Sequence, residues 1–238
     1  MNFHDKVALV AGGTGALGRE IAMAFLEAGA SVAVTYRSEQ EFAAMAAAAE
    51  RVGATPPEGA SVDVTDSAAV EKAVARIVAE KGQLDIVVNA VGGYAGGKNL
   101  WETEPRTYEQ MLALNLKSGY AIARAVVPVM IRQNRGWIVN IASKAAVDHG
   151  AGASLYAASK AGAVALMDSL AAEVKTYNIN VNSVLPSIID TAANRQAMPK
   201  ADFSKWPKPE QIARVVLFLC SEESRLIHGA AIPVYGRS

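Results

Sequence analysis

Cysteine is almost missing from this sequence: Cys220 is the one thiol in 238 residues. A single thiol forms no internal disulfide, so the fold has to rest on its core. Cys220 lies among apolar residues in VVLFLCSEE, where a small buried hydrophobe fits better than a nucleophile. An excess of one charge is missing too, because 23 Lys and Arg balance 23 Asp and Glu. With no basic block and no acidic tail, nucleic acid is not an expected partner. Long apolar runs are absent, and none approaches the ~20 residues of a bilayer-crossing helix. The opening MNFHDKVALV lacks the architecture of a signal peptide. No membrane association and no metal site are expected, and a cytoplasmic location is the default expectation. What the chain does have is apolar residues, 51% of the total. That supports a large core and argues against disorder.

The apolar residues come in short runs separated by alanine-rich stretches. KVALVAG, SVAVTY, ASVDV, DIVVNAV, WIVNIAS, INVNSVL and AAIPVY read as strands. Most are continuous rather than alternating, the pattern of strands buried on both faces of a parallel sheet. Helices are expected at about 17–28, 39–52, 67–81, 105–133, 154–177 and 208–221. This repetition predicts a doubly wound α/β fold, a mostly parallel seven-stranded sheet with helices on both faces. Residues 1–238 are expected to form one domain. Its long irregular stretch, about 187–207, is expected to be a substrate lid anchored by Met198, Phe203 and Trp206.

Directly after the first expected strand comes AGGTGALGRE. Gly12, Gly13, Thr14, Gly15, Ala16, Leu17 and Gly18 fall where strand turns into helix. Glycines there allow a tight turn and a close backbone approach to a phosphate, and the helix start adds N–H donors. The turn points to a dinucleotide. At the end of the second strand, where an acidic residue would hold the ribose of NAD, stand Tyr36 and Arg37. No carboxylate is expected there to repel a 2′-phosphate, and Arg37 can grip one. NADP(H) is therefore the preferred cofactor, with NAD(H) the alternative. Asp63, followed by Val64, is placed to meet the adenine, while Asp66 suits a helix N-cap.

Tyr156 and Lys160, in SLYAASKAG, are i and i+4 and share a helix face. A free phenol has a pKa near ~10, and an adjacent ammonium would lower it toward the range useful for proton transfer. Ser143 ends the strand run WIVNIAS, at the carboxyl edge where α/β sheets bind ligands. Asn115 is a polar residue inside an apolar helical stretch, where a core amide satisfied by backbone is the simpler reading.

Taken together, AGGTGALG, DIVVNAVG, LNL, IVNIAS, YAASK, NVNSVLPS and HGAAIPVYG resemble the short-chain dehydrogenase/reductase family over essentially the whole chain. The resemblance implies a Rossmann-like fold and a catalytic tetrad. Tyr156 would be the general acid/base, and Lys160 would lower its pKa and bind the nicotinamide ribose. Ser143 would orient the carbonyl, and Asn115 would hold a water in a proton relay. It also implies cofactor contacts from Asn89, Ala90, Val91 and Gly92, from Pro186, Ile188, Ile189 and Thr191, and a homotetramer or homodimer. The sequence departs from the family pattern at Ala90, Ser187 and Ala16. Gly93, Tyr94, Ser143, His149, Met198, Phe203 and Trp206 are the candidate substrate contacts. The expected reaction is reduction of a ketone or 3-oxoacyl group. The loops GGTGALG, AVGGYAGG and SKAAVDHGAG, and the lid, also resemble the dihydropteridine reductase branch of the family, which implies a quinonoid dihydropterin substrate instead. A catalytically silent NADP(H)-binding sensor is the alternative of another class.

Overall fold

The computed structural model describes residues 1–238. Seven strands follow one another along the chain: β1 (Val7–Ala11), β2 (Ser31–Tyr36), β3 (Glu58–Ser61), β4 (Ile86–Asn89), β5 (Gly136–Ile141), β6 (Ile179–Pro186) and β7 (Ala231–Val234). They pair in parallel in one sheet with the order β3-β2-β1-β4-β5-β6-β7. The direction of winding reverses between β1 and β4, which opens a crevice at their carboxyl ends.

The helices are α1 (Ala16–Glu27), α2 (Glu39–Arg51), α3 (Ser67–Lys81), α4 (Pro105–Leu112), α5 (Ser118–Gln133), α6 (Ser154–Val174), α7 (Ala192–Ala197) and α8 (Pro209–Leu219). The continuous apolar strands serve two cores. Ala8 and Val10 of β1 join Phe25 of α1, Met45 of α2 and Ile212 of α8. Val7 and Leu9 point the other way, to Ile77 of α3, Ile122 of α5 and Met167 of α6. Successive strand side chains face opposite sides, so each strand needs an apolar residue at every position. The fold is the Rossmann-like, doubly wound α/β sheet that the sequence predicts. Cys220 is buried in the first core, where desolvation pushes its thiol pKa up. No helix is long and apolar enough to cross a membrane.

A polar clamp closes the amino ends of the three central strands. Asp85, fully buried just before β4, accepts from the Val7 N–H of β1 at 2.9 Å. It also accepts from Gln83 at 2.9 Å and from Arg135, which precedes β5, at 2.5 Å. A buried carboxylate needs such partners to offset its lost hydration.

Four local details differ from the sequence expectation. β3 runs over Glu58–Ser61 rather than 60–64, because Asp63 turns the chain by accepting from the Thr65 N–H and hydroxyl. The helix expected over 105–133 is divided by a π-helical segment, Ala113–Lys117. α6 ends at Val174, three residues early, before Asn178 takes a left-handed φ of 56°. The stretch expected to be irregular contains α7, capped by the Thr191 hydroxyl on Asn194 N–H.

Candidate active site

The glycine turn joins β1 to α1 at the crevice. Thr35 of β2, buried, holds it: its hydroxyl accepts from Gly12 N–H at 2.9 Å and its carbonyl from Gly13 N–H at 3.1 Å. Gly12 has φ +73°, and a Cβ at Gly18 would overlap the Gly12 carbonyl oxygen. Only glycine meets both demands. α1 has Gly15 at its N-cap and no side-chain cap, so the first-turn N–H groups of Ala16, Leu17 and Gly18 face the crevice without a capping partner. Such a turn has the free N–H donors that suit a phosphate.

The loop after β4 closes over this turn. Asn89 is buried; it donates to Asn140 Oδ1 at 3.0 Å and accepts from Val91 N–H at 3.2 Å. Ala90 N–H bonds the Ala11 carbonyl, and a Cβ on Gly12 would touch Val91 and Ala90. Residues 12–18 and 89–92 thus line one crevice. At its outer end lies a cavity of about 400 Å³ whose wall includes Tyr36, Arg37, Ser61, Asp63 and Thr65. Arg37 is exposed and forms no ion pair. Hydrogen bonds from Thr65 hold the Asp63 carboxyl below its ordinary range, with Arg37 and Lys117 adding to the effect. Val64 is buried in the second core, and Asp66 caps α3 by accepting from Ala68 and Ala69.

One expectation at this end needs correction. The sequence puts no carboxylate at the close of β2, yet the first turn of α2 brings two. Glu39 accepts from the Tyr36 phenol at 2.7 Å, and Glu41 accepts from the Thr14 hydroxyl at 3.2 Å. The bond to Glu39 pushes the Tyr36 phenol pKa up. Arg37 therefore shares its surroundings with acidic groups.

At the inner end the carboxyl edge of β5 and the first turns of α6 converge. Lys160 is buried and donates to the Ile141 carbonyl at 2.9 Å. Burial pulls its pKa down to about 8. Asn115, also buried, sits in the π-helical segment, and such segments recur at functional sites. It donates to the Gly93 carbonyl and to Ser159 Oγ, both at 3.0 Å, and accepts from Gly93 N–H at 3.0 Å. A Cβ on Gly92 would lie 3.0 Å from both Asn115 Oδ1 and Lys160 Nζ. Gly92 therefore leaves the room in which those two side chains meet.

Tyr156 stands one turn before Lys160 on α6. Burial pushes its phenol pKa up, the nearby Ser143 hydroxyl works the other way, and Tyr94 adds a smaller rise. Ser143 caps the short turn Lys144–Ala146, accepting from Ala145 N–H at 3.1 Å. The sequence expectation has Lys160 lowering the Tyr156 pKa. In the structure the ammonium is committed to Ile141, and desolvation is the largest influence on the phenol. Likewise, the Asn115 amide, expected to hold a water, makes its bonds to Gly93 and Ser159.

The remaining candidates spread outward from this centre. The Tyr94 ring meets the Tyr156 ring edge-on, with centroids 5.0 Å apart. His149 is exposed and its ring contacts the Ala146 carbonyl at 3.1 Å. Pro186 ends β6, and Ser187 bonds to Val234 and Tyr235 of the C-terminal segment. Ile188 is exposed, while Ile189 packs on the first core. Met198 ends α7. Phe203 and Trp206 pack on each other at 5.0 Å, with Trp206 buried and the Arg195 guanidinium 4.9 Å from the Phe203 ring. Arg195 in turn forks onto Asp190 at 2.5 and 2.8 Å. Sequence reasoning missed Thr35, Asn140 and Ser159, whose partners lie 23, 51 and 44 residues away. A polar residue inside the apolar runs SVAVTY and WIVNI was the available signal for the first two.

Comparisons with known proteins agree with this geometry. The family model for short chain dehydrogenases matches residues 6–202. The 3-oxoacyl-(acyl-carrier-protein) reductase FabG of Thermotoga maritima is 30% identical, over 99% of this chain and 98% of its own length. A short-chain type dehydrogenase/reductase from Mycobacterium ulcerans has the same fold, with TM-score 0.94 and 24% identity over 99% of this chain and 90% of that one. An NAD+-bound xylitol dehydrogenase gives TM-score 0.91 and 25% identity, covering 99% of this chain and all of that one, 100%. The chain belongs to the short-chain dehydrogenase/reductase family, oxidoreductases that use a nicotinamide cofactor.

Proposed function

We infer that the chain reduces a ketone or 3-oxoacyl group to an alcohol, using NADP(H) in preference to NAD(H), with Tyr156 as the proton donor. The observation that carries this reading is the grouping of Tyr156, Ser143 and buried Lys160 at the carboxyl edge of β5.

The residues present fit a dinucleotide. The crevice offers the uncapped α1 turn for the phosphates, the Gly12–Gly18 contact that a side chain would fill, and Arg37 at the adenine end. A bound nicotinamide supplies the hydride that reduces the carbonyl carbon. Tyr156, its pKa raised by burial, carries its proton at neutral pH and can give it to the carbonyl oxygen. Ser143 beside it donates a second hydrogen bond to the oxygen as charge develops there. Lys160, charged at pH 7, shares the helix face of Tyr156 and favours the phenolate left after transfer. Asn115 is a positioning residue: it fixes the Gly92–Gly93 turn and, through Ser159, the start of α6. The NADP(H) preference rests on Arg37, unpaired in the cavity, prevailing over Glu39 and Glu41. The relatives named 3-oxoacyl-(acyl-carrier-protein) reductase support the substrate class. A cytoplasmic homotetramer or homodimer goes with the same reading, and mass by light scattering tests the assembly.

The test is a nicotinamide absorbance assay, with NADPH and NADH offered separately against ketones, 3-oxoacyl thioesters and a quinonoid dihydropterin. Ketone turnover with NADPH is expected. Tyr156→Phe is expected to lower kcat by about 10²–10⁴-fold while cofactor binding persists. Ser143→Ala is expected to lose about 10²–10³-fold on a ketone. Turnover of the pterin with little effect of Ser143→Ala would replace the ketone reading. Cofactor binding without any turnover would leave a sensor.

A further inference from the structure

A second cavity, of about 190 Å³, has Ala95 and Gly96, the two residues after Tyr94, in its wall. Ser154 and Leu155 line it, and they are the two residues before Tyr156 on α6. Gly96 lines it too, and a Cβ there would overlap the Tyr94 hydroxyl. The Tyr94 ring, which meets Tyr156 edge-on, thus sets its hydroxyl beside the Gly96 wall of the cavity. Whole ligand pockets span ~300–1,000 Å³, so this volume suits one group of a substrate rather than all of it.

Its lining is cationic. Lys98 and Arg106 both face it, and neither makes an ion pair or a hydrogen bond with the protein. The Thr107 and Ser154 hydroxyls in the same wall also have no protein partner, while Thr103 donates to the Asn99 carbonyl. Glu104 is the one carboxylate, leaving two cations against one anion. The walls are fixed by backbone and caps. Gly97 N–H bonds the Gly152 carbonyl at 2.8 Å, and Asn99 with Glu102 forms a capping box. Pro105 then sets the first turn of α4. A preformed recess with unpaired cations and free hydroxyl donors is suited to a carboxylate or a phosphate.

We propose that this cavity is an anion subsite that holds a carboxylate or phosphate carried by the ketone substrate. The inference rests on the carbonyl-reductase reading and narrows it to ketones with a negatively charged group a short distance from the carbonyl. Lys98 and Arg106 select the charge.

The test compares matched substrates on the full chain: 4-oxopentanoate with its methyl ester, and dihydroxyacetone phosphate with dihydroxyacetone. The anionic member of at least one pair is expected to have a KM at least tenfold lower. In the double variant Lys98→Ala/Arg106→Ala, the ratio of kcat/KM for anionic over neutral substrate is expected to fall at least tenfold. The two pairs separate a carboxylate ligand from a phosphate. Equal KM values within both pairs, or a ratio the variant does not change, would overturn the proposal. A second readout is independent of turnover: inorganic phosphate and 4-oxopentanoate are titrated against Tm for wild type and variant, with Arg37 present in both. Ligand-dependent stabilisation confined to wild type, with no ketone turned over, would uphold the subsite while removing the carbonyl reading. Identical Tm shifts in the two proteins would remove the subsite.

Discussion

Lys160 shows how one residue ties catalysis to stability. Water is excluded from its ammonium, and its pKa falls to about 8. An unfolded lysine keeps its proton to about 10.4, so between these values the unfolded chain binds more protons and stability rises with pH. Below pH 8 the charged native side chain carries the full penalty, roughly 3 kcal/mol relative to water. Lys160→Met removes the charge and keeps the volume. Its Tm relative to wild type is expected to be highest below pH 8 and to fall steadily toward pH 10.5, while turnover is lost at every pH. A Tm difference that stays constant from pH 6 to 10.5 would mean that the ammonium is hydrated in solution. Tyr156 and Lys160 drew notice by their i, i+4 spacing and Ser143 by ending an apolar strand run, whereas Asn115 read as a core amide until the family resemblance assigned it a role. The Ile141 carbonyl on Lys160 was not legible, since any residue supplies a carbonyl. Nor were Glu39 and Glu41, which reach the crevice from a helix start rather than a strand end.

Among the elements, those with a strong hydrophobic signal were placed correctly by the sequence. β1, β2, β4, β5 and β6 fall on its apolar runs, and α3 matches its expected ends. β3 slid because EGAS is weakly apolar and edge strands gain little from burial. α7, with six residues, offers no periodicity to read. The π-helical segment was invisible because it changes the hydrogen-bond register and not the composition. That register aims Asn115 at Gly93 and Ser159. Deleting Ala113 would restore α-helical register and swing the flanking residues by about 100° relative to one another. The deletion is expected to lower kcat more than tenfold, with helix content by circular dichroism unchanged. Near wild-type kcat would show that the amide's placement is not needed.

Across the whole molecule, the crevice and the Asp85 clamp lie at opposite ends of one parallel sheet. The clamp holds the amino ends of β1, β4 and β5, and the same three strands deliver Gly12, Asn89 and Ser143 at their carboxyl ends. Asp85→Ala would leave the Val7 N–H unmatched in a buried setting, while Gln83 keeps the Asp5 carbonyl and the partly exposed Arg135 turns to solvent. It is expected to destabilise the fold by about 1–3 kcal/mol, read from urea denaturation. Below its melting range the variant is expected to keep its kcat. A large loss of kcat at unchanged stability would contradict the separation of the two ends. The distance between clamp and crevice also bears on how the protein can be altered. Replacements at the amino ends of the strands can raise heat tolerance without disturbing chemistry, and loops at the carboxyl ends can be varied without dissolving the scaffold. A library drawn on one end and screened for one property leaves the other property where it was.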